Sequence, residues 1–152
     1  MKGLKDMGIY ILIPRSEVPE GTKICRCKAV LKNKLNENGN LARCKVCFIF
    51  KGYEQEYGKD YTSTTSPTAR MESWRILLHI AVALGWDAQQ IDIKTTFLYG
   101  LLLDKEVQYM EQLKGFEEEE KETWVWKLQR GIYGMKQAGR IWNKTMNDAM
   151  LS

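Results

Sequence analysis

Between residues 23 and 51 the chain reads KICRCKAVLKNKLNENGNLARCKVCFIFK, two alternating runs around a turn-forming centre. Successive side chains of a strand point to opposite faces. Arg26, Lys28, Lys32 and Lys34 therefore share one face of a first strand, and Cys25, Cys27, Ala29, Leu31 and Leu35 share the other. On a second strand Arg43, Lys45 and Lys51 oppose Ala42, Cys44, Val46, Phe48 and Phe50. Asn38-Gly39 can adopt the positive φ values of a two-residue hairpin turn. This predicts strands near 23–35 and 41–51, with Lys34 opposite Arg43, Lys32 opposite Lys45 and Arg26 opposite Lys51. The segment holds eight Lys or Arg against the single acid Glu37. Like charges facing each other destabilise a ladder unless an anion neutralises them, so a polyanion or triphosphate is the expected partner. A solvated, lysine-rich edge that protects the sheet is the alternative.

The same register bears on the cysteines. Cys25, Cys27, Cys44 and Cys47 have a spacing that invites zinc. A hairpin places Cys44 opposite Asn33, six residues from Cys27, on the order of 20 Å at about 3.3 Å per residue. Neither a tetrahedral site nor a disulfide spans that distance, so no zinc is expected and the thiols are read as reduced and mostly buried.

With 152 residues, 44% of them hydrophobic and 28% charged, the chain has the composition of one globular domain. No apolar run approaches the roughly 20 residues of a membrane span. The N-terminus shows no convincing signal peptide, so no membrane partner is expected and an intracellular, cytoplasmic location is the default. The run EEEEKE at 117–122 reads as a solvated loop.

Apolar residues at three- and four-residue spacing predict a helix over 71–84, closed by Gly85. The lone histidine, His79, falls in it and is read as structural. Alternation through QQIDIK predicts a strand that places Gln90, Asp92 and Lys94 on one face. A carboxylate at a strand end is a common place for a metal or general base. A strand near 124–128 and a helix over about 137–150 follow, with Trp142 and the methionines read as core. Strands interspersed with helices argue for an α+β layer fold.

The blocks ENGNLARCK, FKGYEQEYGKDYTSTTSPTARMES, QQIDIKTTFLYG, YMEQLKGF and IYGMKQAGRIWN, in this order, resemble the reverse transcriptases of copia-type retrotransposons. The likeness runs from about Leu12 to Trp142. It implies a right-hand polymerase, with fingers over about 1–70 and the first part of the palm, with a returning fingers segment, over about 71–152. It also implies an RNA or DNA template-primer and deoxynucleoside triphosphates as partners, together with the remainder of a polyprotein. Such enzymes use two Mg2+ or Mn2+ ions. By resemblance Asp92 is a catalytic metal ligand with the Ile93 carbonyl beside it. Phe97 is the aromatic gate against a ribose 2′-hydroxyl, Gln137 contacts the incoming nucleotide, and Lys32 and Lys45 meet the triphosphate. Arg26, Lys28, Lys34, Arg43 and Lys51 are the expected nucleic-acid contacts.

The departures matter too. Cys47 stands where the family has arginine, Cys44 where an aromatic is usual and Ala29 where tryptophan is. Leu113 and Gly139 replace prolines, Tyr99 replaces asparagine, and the GLLLDKEVQYM stretch is two residues longer than usual. The family's second metal element, an Asp-Asp pair between hydrophobic residues, does not occur in this sequence. Polymerase activity is therefore not expected of the chain alone, and a non-catalytic nucleic-acid-binding module or a degenerate relic is the alternative.

Overall fold

The computed structural model describes residues 2–152. In chain order its elements are α1 (Lys2–Asp6), β1 (Tyr10–Ile13), β2 (Ile24–Cys25), β3 (Cys27–Leu35), β4 (Leu41–Phe50), α2 (Met71–Leu84), β5 (Tyr109–Glu111), β6 (Val125–Leu128) and α3 (Ala138–Leu151), with short 3-10 turns between them. This is a mixed α and β architecture, in keeping with the α+β expectation.

Four short strands form a sheet in the order β1-β6-β5-β2. Strand β6 is antiparallel to both β1 and β5, and β2 runs parallel to β5. The strands come from both sides of residue 70. The core gathers on this sheet around Ile9, Cys25, Met110, Trp126 and Leu128, all fully buried. Tyr10 stacks on Trp126 with ring centroids 4.1 Å apart and planes 12° from parallel. Large aromatic surfaces of this kind supply much of the burial free energy of a small core.

The second sheet is the hairpin β3–β4, with Lys32 opposite Lys45, Lys34 opposite Arg43 and Cys44 opposite Asn33. The Lys51 N–H donates to the Arg26 carbonyl at 3.0 Å, extending the same pairing. The turn differs from the expected one. Only Gly39 has a positive φ, 77°, and its N–H donates to the Asn36 carbonyl at 3.0 Å. The Asn36 Oδ1 accepts the N–H groups of Asn38 and Asn40 at 3.0 and 2.9 Å. The asparagine thus builds an Asx turn, giving a longer loop. A register shift between Lys34 and Leu35 restores the pairing that a two-residue turn would have set.

The hairpin is buried only at its base. Phe50 belongs to the core, whereas Leu31 on the distal apolar face is 75% exposed. Two glycines permit the anchoring. A Cβ on Gly52 would stand 2.0 Å from the Gly134 carbonyl oxygen, and one on Gly134 would stand 2.1 Å from that of Phe50. The Phe50 N–H donates to the Tyr133 carbonyl at 2.8 Å. Behind this seam the Gln55 Nε2 donates to the Gln137 Oε1 at 3.0 Å, and the Lys136 N–H donates to the Gln55 Oε1 at 2.8 Å. The stem is held further by Arg26, whose Nε and N–H donate to the two Glu54 carboxylate oxygens at 2.7 and 2.8 Å. Burial works to raise the Glu54 pKa, but the hydrogen bonds from Arg26 and the charges of Arg26 and Lys51 together hold it below the ordinary 4.5.

Helix α2 occupies the expected residues and ends on Gly85 at φ 67°, but none of its residues is buried. Trp74 on its apolar stripe is 52% exposed. The strand expected around Asp92 does not form. From Asp87 to Lys94 no backbone-to-backbone hydrogen bond occurs among the described residues, and Ile91 is 77% exposed. Alternation supplies two faces but not the neighbouring strand that a ladder requires. Helix α3 buries Ala138 and Ile141. Trp142 is only half-buried and Met150 is 72% exposed, which corrects the reading of both as core. An ion pair adds to this packing: the Arg140 Nη2 donates to both Glu106 carboxylate oxygens at 2.6 Å.

Of the cysteines only Cys25 is buried. Cys27, packed against the core at the hairpin base, and Cys47 are half-buried, and Cys44 on the distal hairpin is exposed. Desolvation pushes the Cys25 thiol up to about 11.

Two outcomes follow. Gly134→Ala should lower stability in urea denaturation by about 2–3 kcal/mol through backbone strain and collision with the β4 backbone. Gly3→Ala, where a Cβ meets nothing within 4 Å, should stay within about 1 kcal/mol of the parent. A carboxyl held below its unfolded pKa stabilises the fold above that value and loses its contribution as pH falls through the folded pKa. Tm measured against pH should therefore show Glu54→Gln below the parent above pH 4.5, with the gap closing on further acidification.

Candidate functional site

Strand β4 borders a cleft of about 720 Å³ that the segment 92–96 also lines. Arg43, Lys45 and Cys47 line one side, Asp92, Ile93, Lys94, Thr95 and Thr96 the other, and Ile132 and Tyr133 close one end. Residues 43, 45 and 47 share one face of β4, and Val46 and Phe48 from its other face line the cleft as well. The lining cations Arg43, Lys45 and Lys94 outnumber the lone lining carboxylate, Asp92. Asp92 is exposed and has no ion pair of 4.0 Å or less among the described residues. It is free to meet a cation or a solvated ligand.

The expected site residues divide into groups. Arg43, Lys45, Asp92 and Ile93 come together in the cleft. Lys32 and Lys34 lie on the neighbouring strand, opposite Lys45 and Arg43, exposed but outside its lining. Lys28 and Lys51 line a separate pocket of about 300 Å³ on the proximal part of the hairpin, with Tyr53 and Lys136. Arg26 is engaged by Glu54, as described above, so its guanidinium serves the hairpin stem.

Phe97 is half-buried against the core and meets the Tyr133 ring edge-on, with centroids 4.8 Å apart. Tyr133, not Phe97, reaches the cleft. Gln137 is 0% exposed. Its amide is taken up by Gln55 and, at 3.3 Å, by the Asp60 carbonyl. Its side chain therefore holds the segment that follows β4 to the start of α3 and does not line the cleft. Cys47 does line the cleft, at the position where an arginine would add a fourth cation.

Sequence reasoning did not single out Thr95, Thr96 and Tyr133. Lys94 lines the cleft with Asp92, but the strand parity that grouped them does not account for it, since no strand forms there. Thr95 carried no such signal: it stands at φ 54°, a left-handed conformation uncommon for any side chain and an outlier for a β-branched one. Strain of this kind costs about 1–3 kcal/mol and concentrates at functional sites.

The donor set limits which metal arrangement fits. Asp92 offers a carboxylate and Ile93 a carbonyl, hard oxygen donors of the kind that hold one Mg2+ with water and phosphate oxygens completing its shell. No second carboxylate lines the cleft. Among the described residues no group of three or more His, Cys, Asp or Glu is placed to hold a metal. The residues fit a share of one cation site and do not fit a pair.

The family described as reverse transcriptase (RNA-dependent DNA polymerase) matches residues 10–152. The chain is 39% identical, over its full 152 residues, to the retrovirus-related Pol polyprotein from transposon TNT 1-94 of Nicotiana tabacum, of which it covers 11%. It is 37% identical over 134 residues, 88% of its length, to the Pol polyproteins from transposons RE2 and RE1 of Arabidopsis thaliana, covering 9% of each. The chain thus spans about a tenth of the length of these relatives. No solved structure matches. No helix among the described residues is long and apolar enough to cross a membrane. The match over nearly the whole chain places it in the reverse transcriptase family of retrotransposon Pol polyproteins.

Proposed function

We propose that this chain is the part of a reverse transcriptase that grips nucleic-acid phosphate and the incoming nucleotide, with β3–β4 as fingers and the Asp92 segment as the start of the palm. The observation that carries this reading is that Arg43, Lys45 and Lys94 line the same cleft as Asp92. The cations attract and orient phosphate oxygens, and Lys32 and Lys34 extend the field along the hairpin for a template-primer. Asp92 and the Ile93 carbonyl would hold a divalent cation. In phosphoryl transfer such an ion neutralises charge developing on the phosphate oxygens. The residues of this chain bind and orient. With one carboxylate in the cleft, the chain alone does not turn over.

A non-catalytic nucleic-acid-binding module is the second reading, and the absence of a second carboxylate in the cleft favours it. The two readings share the basic face and divide on whether Asp92 matters.

Binding of a labelled primer-template, titrated with salt, tests the shared part. Affinity should fall steeply as salt rises, and each of Lys45→Ala and Arg43→Ala should flatten the log-log slope by about 0.9 if it removes one duplex phosphate contact. Salt-independent binding would sink the proposal. Primer extension by the purified chain with Mg2+ should be undetectable; extension that disappears in Asp92→Ala would show that the chain is catalytically complete.

A further inference from the structure

The segment carrying Asp92 has little to hold it. From Asp87 to Lys94 no backbone group bonds to another backbone group among the described residues. Two of its carbonyls are nevertheless engaged, both by threonine hydroxyls. The Thr95 Oγ1 donates to the Lys94 carbonyl at 2.7 Å, a bond between neighbours that restrains nothing beyond them. The Thr96 Oγ1 donates to the Ile93 carbonyl at 2.9 Å, and this bond reaches back across the bend at Thr95.

Thr96 stands on fixed ground. It opens the 3-10 turn Thr96–Tyr99, whose Leu98 is 5% exposed in the core. The Leu98 N–H donates to the Thr95 carbonyl at 2.9 Å, and the Gly131 N–H donates to the Gly100 carbonyl at 2.8 Å. Gly100 lies against Ile141 so closely that a Cβ would stand 2.4 Å from its Cγ2. The left-handed φ of Thr95 turns the chain back so that the Ile93 carbonyl meets the hydroxyl.

We infer that Thr96 is a positioning residue: its hydroxyl ties the Ile93 carbonyl to the rigid turn and so holds Asp92 opposite Arg43 and Lys45. A carbonyl oxygen has two lone pairs, so the bond leaves one free for a cation while fixing the direction of the group. The role in cation binding rests on the reading of Asp92 and Ile93 given above, whereas the tether itself does not.

The test uses the full 15N-labelled chain as parent, Thr96→Val, Thr96→Ser and Thr96→Ala. Valine keeps the branched shape without the donor, and serine keeps the donor. The tether requires that the heteronuclear NOE of the Ile93 and Lys94 amides drop in Thr96→Val and Thr96→Ala and be retained in Thr96→Ser, with spectra elsewhere unchanged. In Mn2+ titrations the concentration that half-broadens the Asp92 amide should rise several-fold in the two donor-less variants and stay at the parent value in Thr96→Ser. Parent-like NOE values in Thr96→Val and Thr96→Ala overturn the inference, as does a Thr96→Ser that behaves like Thr96→Val. A parent whose Asp92 signal ignores Mn2+ removes the cation reading, and the NOE comparison alone then decides the tether.

Discussion

Residue 134 has to be glycine because the backbone of the hairpin base lies where any side chain would project. The same holds in reverse at Gly52, which faces the Gly134 carbonyl. Bare backbone meeting bare backbone lets the Phe50 N–H reach the Tyr133 carbonyl and lets Phe50 enter the core. The buried amides of Gln55 and Gln137 lock the joint, and each is satisfied, as buried polar groups must be to avoid a desolvation penalty. This seam, with the Arg26–Glu54 pair at the stem, sets the hairpin beside the segment carrying Asp92.

Once aimed, the hairpin presents a face that its own electrostatics do not favour. Lys32 faces Lys45 and Lys34 faces Arg43, and such pairs repel when nothing lies between them. High exposure and salt screening keep the penalty small. The same exposure leaves the cations available to phosphate. Arg26 differs because Glu54 neutralises it at the stem, where stability matters more than binding.

Helix α2 and the Asp92 segment show what happens to local signals without tertiary support. The helix forms from good helix formers and a glycine cap, yet buries nothing, so its stability rests on propensity, which is marginal for about 14 residues. The strand expected around Asp92 had no such recourse, since a strand cannot satisfy its own backbone. A side-chain hydroxyl from the adjacent turn restrains it instead.

Alternation in the sequence determined the hairpin, its pairing and its basic face, because side-chain parity follows directly from the pleat of a strand, while the Asn36-centred turn was not read from it. Helical spacing and a closing glycine likewise determined α2, and the order of motifs determined the family. Strand β6 was legible as the run at 124–128, whereas β1 and β5 were harder to read, being runs too short to separate from loop by periodicity. Tertiary structure alone decided that Gln137 is an internal strut, that Phe97 backs Tyr133 and that Arg26 is held by Glu54. Each of these depends on contacts between residues far apart in the chain, and no local pattern encodes such contacts.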